Sequence, residues 1–198
     1  MIDEITTNFF LSYLFYLILG FIFHFTLSKT KLNGNEFKLS SISLFISSCI
    51  HACYFKYYKY NEFHWLQIPS YLIIMDFFYY FLHRFMHLPL VYQWVHSQHH
   101  QFKPPSSWSA SSLGIIETVL TMSIASFGPT YFYSFHPYVV HYVGLFLLVN
   151  SIFVHTNSGI DYPFLISPLE HYKHHLYGLQ NRNFGLFTNI WDILFGTN

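Results

Sequence analysis

The sequence predicts an all-α integral membrane protein: about four transmembrane helices, the last pair a hairpin, under a cytosolic helical cap that carries histidine boxes. Three observations predict it. Of the 198 residues, 53% are hydrophobic and only 9% charged, against about a quarter charged in soluble domains. Apolar stretches recur at lengths suited to crossing hydrocarbon. Fourteen histidines are present, and most of them gather near the ends of those stretches.

The first stretch runs from Phe9 to about Leu27. Its flank, Asp3-Glu4, is acidic and no small-residue cleavage site follows, so it reads as a retained span rather than a signal peptide. A polar loop over 28–38 follows, with Asn33-Gly34-Asn35 as turn chemistry. The second stretch, Leu39 to about Phe55, is rich in serine and is expected to pack against other helices. The third runs from about Leu66 to Leu82 and leads directly into histidines. The fourth, Ile115 to Val154, is interrupted at Gly128-Pro129 and His136-Pro137, which predicts two helices in a hairpin. The chain divides into N-terminal helices and loops over 1–65 and a catalytic region over 66–198, integrated as one membrane domain.

Charge supports this order. If the spans alternate and the hairpin returns to the side it left, Lys29, Lys31, Lys38, Arg84, Lys103, Lys173 and Arg182 share one side. Only Lys56 and Lys59 fall on the other, so the first side is expected to be cytosolic. Acidic and basic residues are equal at nine each, with no basic patch for nucleic acid. Cys49 and Cys53 make neither a disulfide framework nor a zinc ribbon.

Three clusters carry the chemistry: His83-Arg84-Phe85-Met86-His87, His96-Ser97-Gln98-His99-His100 and His171-Tyr172-Lys173-His174-His175. His155 sits at the cytosolic end of the hairpin. On a helix, residues at i, i+3 and i+4 share a face, so each cluster is expected to point its rings one way. Nine imidazoles exceed the needs of one ion and fit two metals with four or five ligands each. Imidazole suits iron, zinc, copper or nickel. A zinc hydrolase needs three ligands and an open position, and its usual His-Glu-x-x-His is absent. Haem needs only one or two axial ligands. Iron redox chemistry is the better match, though spacing alone leaves the metal open. His24, His51, His64, His136 and His141 read as core or loop residues. Asp76, two turns before His83, is a candidate partner for a ligand ring, with helix packing or pairing to Arg84 as the equal alternative; Glu117, Glu170 and Asp192 are similar candidates. Arg84 and Lys173 are expected to face solvent or lipid headgroups, and Trp94, Trp108 and Trp191 to anchor at the membrane interface.

The clusters resemble those of the fatty acid hydroxylase/sterol desaturase superfamily. Asp76-Phe77-Phe78-Tyr79-Tyr80-Phe81-Leu82-His83-Arg84 is similar to the entry into its first box and Trp94-Val95-His96-Ser97-Gln98-His99-His100 to its second. His155-Thr156-Asn157-Ser158-Gly159 with Pro163 resembles the segment before its last box. Asn183-Phe184-Gly185 and Trp191-Asp192-Ile193-Leu194-Phe195-Gly196-Thr197 resemble its C-terminal signature. Two departures stand out. Some members carry a further histidine where this chain has Ser151, and several have His-Pro-x-Glu where it has Gly114-Ile115-Ile116-Glu117. His136-Pro137 through His155, with Gly159 to Pro163, is similar to cholesterol 25-hydroxylases and C4-methylsterol oxidases. The box His-Ser-Gln-His-His is similar to sphingoid C4-hydroxylases.

The resemblance implies a multi-pass enzyme of the endoplasmic reticulum membrane with its boxes cytosolic. It implies two irons, O₂ as co-substrate, and electrons from cytochrome b5 or a similar NAD(P)H-linked reductase chain, supplied by a separate protein. His83, His87, His96, His99, His100, His155, His171, His174 and His175 would be the metal ligands. The expected reaction is hydroxylation or desaturation of a lipid taken from the bilayer, with a sterol favoured. Sphingoid-base or fatty-acyl hydroxylation, ether-lipid oxidation, and a non-catalytic membrane metal-binding or scaffold role are the alternatives.

Overall fold

The computed structural model describes residues 2–28, 30–156, 158–177 and 182–198. Lys29 and Asn157, both used above, lie outside the described residues, as do the side chains of Asp3 and Glu4. The helices are α1 (Ile2–Thr26), α2 (Gly34–Tyr57), α3 (Gln67–Met86), α4 (Pro89–Val95), α5 (Ile115–Leu120), α6 (Pro137–Val154), α7 (Pro168–Tyr177) and α8 (Ile190–Phe195). No strand forms among the described residues; one isolated antiparallel bridge joins Leu165 to Thr188.

The predicted turn chemistry starts α2. The Asn33 side chain accepts from the backbone N–H groups of Asn35 and Glu36 at 3.0 and 3.4 Å, satisfying donors that a helix start leaves open. Pro137 opens α6, where its missing N–H costs nothing. The His136 ring caps the same helix by accepting from the Tyr138 N–H at 3.2 Å.

Hydrogen bonds order the bundle end to end. At one end, the loop over 105–112 is clasped by α1 and α2. Ser107 donates to the Gly20 carbonyl at 3.1 Å, and Tyr16 and Ser111 share a bond of 2.6 Å. The buried Glu36 carboxylate accepts from Ser106 at 3.0 Å and from Ser109. Ser40 bonds the Trp108 carbonyl, and Ser43 bonds Thr118 at 2.9 Å. These serines explain the polar character of α2: their hydroxyls face neighbouring chain, as expected. At the opposite end, the Asn61 N–H reaches the Ser134 carbonyl and the His136 N–H reaches Gln67 Oε1, both at 2.9 Å. Between the ends lies an apolar core that includes Tyr71, Met75, Phe127, Val140 and Leu147. All three histidine clusters and His155 belong to the first end.

Three expectations change. The fourth stretch does form two arms, but the first is short: α5 runs into a π-helical turn (Thr121–Ser126), followed by a 3₁₀ turn (Gly128–Tyr131). Among the described residues only α6 is long and apolar enough to cross a bilayer by length and composition; Tyr13–Thr26 and Ile115–Ser126 are apolar but shorter. The four-span count therefore does not follow from helix length and apolarity. Trp108 is not an interfacial anchor but a fully buried wedge. Its ring meets Phe21 and Phe37 edge-on at 4.8 and 4.9 Å, and Gly20 leaves it room, since a Cβ there would stand 2.7 Å from the indole. Trp191 is half-buried and bonded within the protein; Trp94 is exposed.

Candidate metal centre

The ends of the elements place the nine imidazoles. His83 lies in the last turn of α3, and His87 caps that helix. His96 caps α4, whose regular structure stops at Val95, and His99 and His100 stand in a separate 3₁₀ turn (His99–Gln101). The second cluster is thus not on one α-helix, although both His99 N–H and His100 N–H bond the His96 carbonyl and preserve a helical turn. His155 caps α6, and His171, His174 and His175 lie on α7.

The rings meet in one pocket. Ring centroids stand 4.7 Å apart for His87–His174, 4.7 Å for His99–His175 and 4.4 Å for His100–His175. None of the nine is more than 3% exposed, which leaves water little part in satisfying their nitrogens. Nitrogens of His83, His87, His96, His100 and His174 form one group able to hold an ion; those of His99, His155, His171 and His175 form a second. The i, i+4 pairs His83/His87, His96/His100 and His171/His175 each stay within one group. The i+3 residues His99 and His174 go to the other group. A residue at i+3 is rotated about 100° from its neighbour at i+4, so one turn of chain serves two adjacent sites. The expectation that each cluster points all its rings one way is corrected accordingly.

Hydrogen bonds on the outer nitrogens fix the tautomers. His83 Nδ1 faces the Phe184 carbonyl at 2.8 Å, His155 Nδ1 the Ser151 carbonyl at 2.7 Å, and His174 Nδ1 the Arg182 carbonyl at 2.7 Å. A carbonyl only accepts, so each Nδ1 carries the proton and each Nε2 presents a lone pair. His96 Nδ1 pairs with Glu117 Oε1 at 2.6 Å and donates to it when that carboxyl is ionised, although burial raises the carboxyl's pKa well above its usual range. With the carboxyl ionised, His83 Nε2 and His96 Nε2, both lone pairs, stand 3.1 Å apart with no proton between them. His174 Nε2 and both nitrogens of His175 are buried with no hydrogen-bond partner among the described residues.

This is the arrangement a cation requires. With metal–nitrogen bonds of about 2.1 Å, adjacent ligand atoms stand about 3.0–3.4 Å apart for octahedral or tetrahedral geometry. The close Nε2···Nε2 distances are 3.1 Å for His83–His96 and His96–His100, 2.9 Å for His155–His171 and 3.4 Å for His99–His155. Burial pushes the imidazoles of His96, His99, His100, His171 and His175 well below their ordinary range, and those of His155 and His174 down to about 4. The neutral form, the one that binds metal, is therefore the resting form at neutral pH.

The carboxylates divide. Glu117 touches a candidate ligand directly, through His96. Asp76 does not: its oxygens accept from the Phe187 and Thr188 N–H groups at 3.0 and 3.3 Å, from Thr188 Oγ1 at 2.6 Å and from Trp191 Nε1 at 3.2 Å. It ties the C-terminal segment to α3 and pairs with neither an imidazole nor Arg84, which reaches the Tyr80 hydroxyl instead. Glu170 closes a capping box, its Oε2 accepting from the Ser167 N–H while Ser167 Oγ accepts from its own N–H. Asp192 accepts from the N–H groups of Phe184 and Gly185 and from Thr197 Oγ1 at 2.7–2.9 Å. It thus holds the loop whose Phe184 carbonyl orients His83. Gly185 is required there because a Cβ would collide with the Thr188 carbonyl oxygen. Arg84 and Lys173 are exposed, as expected.

Sequence reasoning missed the roles of Ser151, Arg182 and Phe184 as carbonyl acceptors, since a backbone oxygen carries no residue signature. The Phe184 ring also packs on His83 and His87, with centroids at 5.6 and 5.1 Å. None of His24, His51, His64, His136 and His141 joins either group.

The family model for fatty acid hydroxylases matches residues 68–197. The chain is 30% identical over 139 residues to a probable Δ(7)-sterol 5(6)-desaturase of Neurospora crassa, covering 66% of this chain and 38% of that protein. It is 30% identical over 138 residues to the Δ(7)-sterol 5(6)-desaturase of Leptosphaeria maculans, covering 67% and 37%. It is also 28% identical over 138 residues to human lathosterol oxidase, covering 67% and 44%. The aligned part is therefore less than half the length of each of these relatives. Their names point to sterols, as the resemblance does, and two of the three name 5(6)-desaturation rather than 25-hydroxylation or C4-methyl oxidation. No solved structure matches the chain.

Proposed function

This chain belongs to the fatty acid hydroxylase family, and from that premise we propose that it oxidises a C–H bond of a membrane lipid, a sterol in the first instance, at a pair of histidine-bound irons. The observation that carries the proposal is the facing lone pairs of His83 and His96, 3.1 Å apart and each committed by a hydrogen bond on its other nitrogen. His83, His87, His96, His100 and His174 would hold one iron, and His99, His155, His171 and His175 the other. Bound iron would supply O₂ activation and hydrogen abstraction, which side chains alone cannot provide.

The chain's own residues orient and exclude. Phe184, Ser151, Arg182 and Glu117 lock the rings with Nε2 inward. The Phe184 ring covers the centre on one side. A cavity opens from His99 and Glu117 into the apolar bundle, a place for the lipid's reacting carbon away from water.

We place the chain in the endoplasmic reticulum membrane as a multi-pass protein with its histidine end cytosolic. Leu14, Ile18 and Ile22 of α1, Phe81 and Phe85 of α3 and Phe146 of α6 point outward and exposed, an apolar belt suited to lipid rather than water. The lysine and arginine distribution supports the orientation. Residues 66–198 would form the catalytic unit, with a cytochrome b5-type protein as electron donor.

Lipid profiling of cells expressing wild type and His99→Ala tests the activity. A sterol product present with wild type and absent with the variant is expected. No His99-dependent change in any sterol, sphingoid or fatty-acid product would overturn it.

A further inference from the structure

The cavity that begins at His99 and Glu117 also takes in His51 of α2 and His141 of α6. Their rings stand 5.5 Å apart, centroid to centroid. Ser47 and Ser48, one turn before His51, line the same wall, which is otherwise mostly apolar. Imidazoles inside a spanning bundle are costly and mark sites that handle polar groups.

The helices measure how far this pair lies from the centre. His141 precedes His155 by fourteen residues on one helical run, about 21 Å of rise at about 1.5 Å per residue. On α2, His51 lies eight residues beyond Ser43, whose bond to Thr118 marks the histidine end; that is about 12 Å further into the bundle. The path between is open at Gly144, one turn after His141, where a Cβ would meet nothing within 4 Å.

We propose that His51 and His141 form a recognition site for a hydroxyl group at the far end of the substrate, so that the cavity selects an elongated lipid alcohol oxidised about 20 Å from its hydroxyl. This rests on the reading of the cavity as the lipid site. An imidazole can donate to or accept from a hydroxyl, and the length of the cavity then fixes which carbon lies under the nine histidines. An alcohol held at His51 and His141 presents its apolar end to the metal.

The test uses the full chain, loaded with iron in detergent or nanodiscs, and two probes: a 3β-hydroxysterol and the same sterol without the hydroxyl. Wild type should bind the hydroxylated probe roughly tenfold more tightly, the value of one hydrogen bond to a buried polar group. His51→Phe with His141→Phe should bind both probes alike. Gly144→Phe, which favours the helix and fills the path, should weaken both. Metal content is read on the same samples. Equal affinity of wild type for the two probes, binding of neither, or a preference that survives in the double variant overturns the inference. If iron is retained in those cases, the metal reading stands; a wild-type chain that takes up no iron would instead defeat the metal reading.

Discussion

The Nδ1 of His96 pairs with Glu117 Oε1 at 2.6 Å, and the same ring turns its Nε2 to 3.1 Å from both His83 Nε2 and His100 Nε2. One carboxylate on α5 thereby fixes a ring at the corner of a five-histidine group. Glu117 is 21 residues from His96 in sequence, so the pairing exists only once α5 docks beside α4.

Replacing that carboxylate separates orientation from ligation. Glu117→Ala should lower metal affinity or turnover about 10–100-fold while the helical content by circular dichroism is kept. Glu117→Gln keeps an acceptor oxygen and should lose less. Metal titration and product assays on both variants check this, and wild-type affinity and turnover in Glu117→Ala would remove Glu117 from the site.

Asp76 predicts the opposite pattern. Its four hydrogen bonds run to Phe187, Thr188 and Trp191, so Asp76→Ala leaves buried donors without acceptors and should destabilise the protein by roughly 2–5 kcal/mol. The C-terminal segment should become protease-sensitive first. Limited proteolysis and chemical denaturation in detergent measure both effects. A variant of unchanged stability that nonetheless fails to bind metal would return Asp76 to the role of a histidine partner.

Metal-free protein should be acid-sensitive. Burial holds His155 and His174 neutral in the folded chain down to a pH of about 4, whereas unfolded imidazoles take up protons near about 6.5. Below that pH the unfolded chain binds protons that the folded chain refuses. Their contribution to stability is therefore complete above about pH 6.5 and is lost as the pH falls towards about 4. At about pH 5 the loss is roughly 2 kcal/mol per ring. Denaturation midpoints of the apo-protein at neutral and acid pH check the sign; a midpoint that rises on acidification contradicts it.

Much of this architecture is legible in the residues themselves. The apolar runs mark the long helices, Asn33 marks a helix start, and the spacing of the histidine clusters marks rings that converge. The division of those rings between two groups is less legible, because His99 and His174 part from partners that simple face-sharing would keep with them. The second-layer contacts are the least legible. Asp76 meets Thr188 112 residues away, and three of the four acceptors on the imidazoles are carbonyls of Ser151, Arg182 and Phe184, any of which another residue type would supply. Trp108 shows a related limit: an aromatic ring near a span end fits an interface as well as a core, and only the space at Gly20 decides between them.

The central claim is that two histidine groups, of five and four rings, each hold an iron. Metal analysis of the anaerobically purified full chain tests it most directly. The account predicts close to two irons per chain, falling sharply in both His99→Ala and His87→Ala. One metal per chain, or zinc alone with no redox activity, would contradict it.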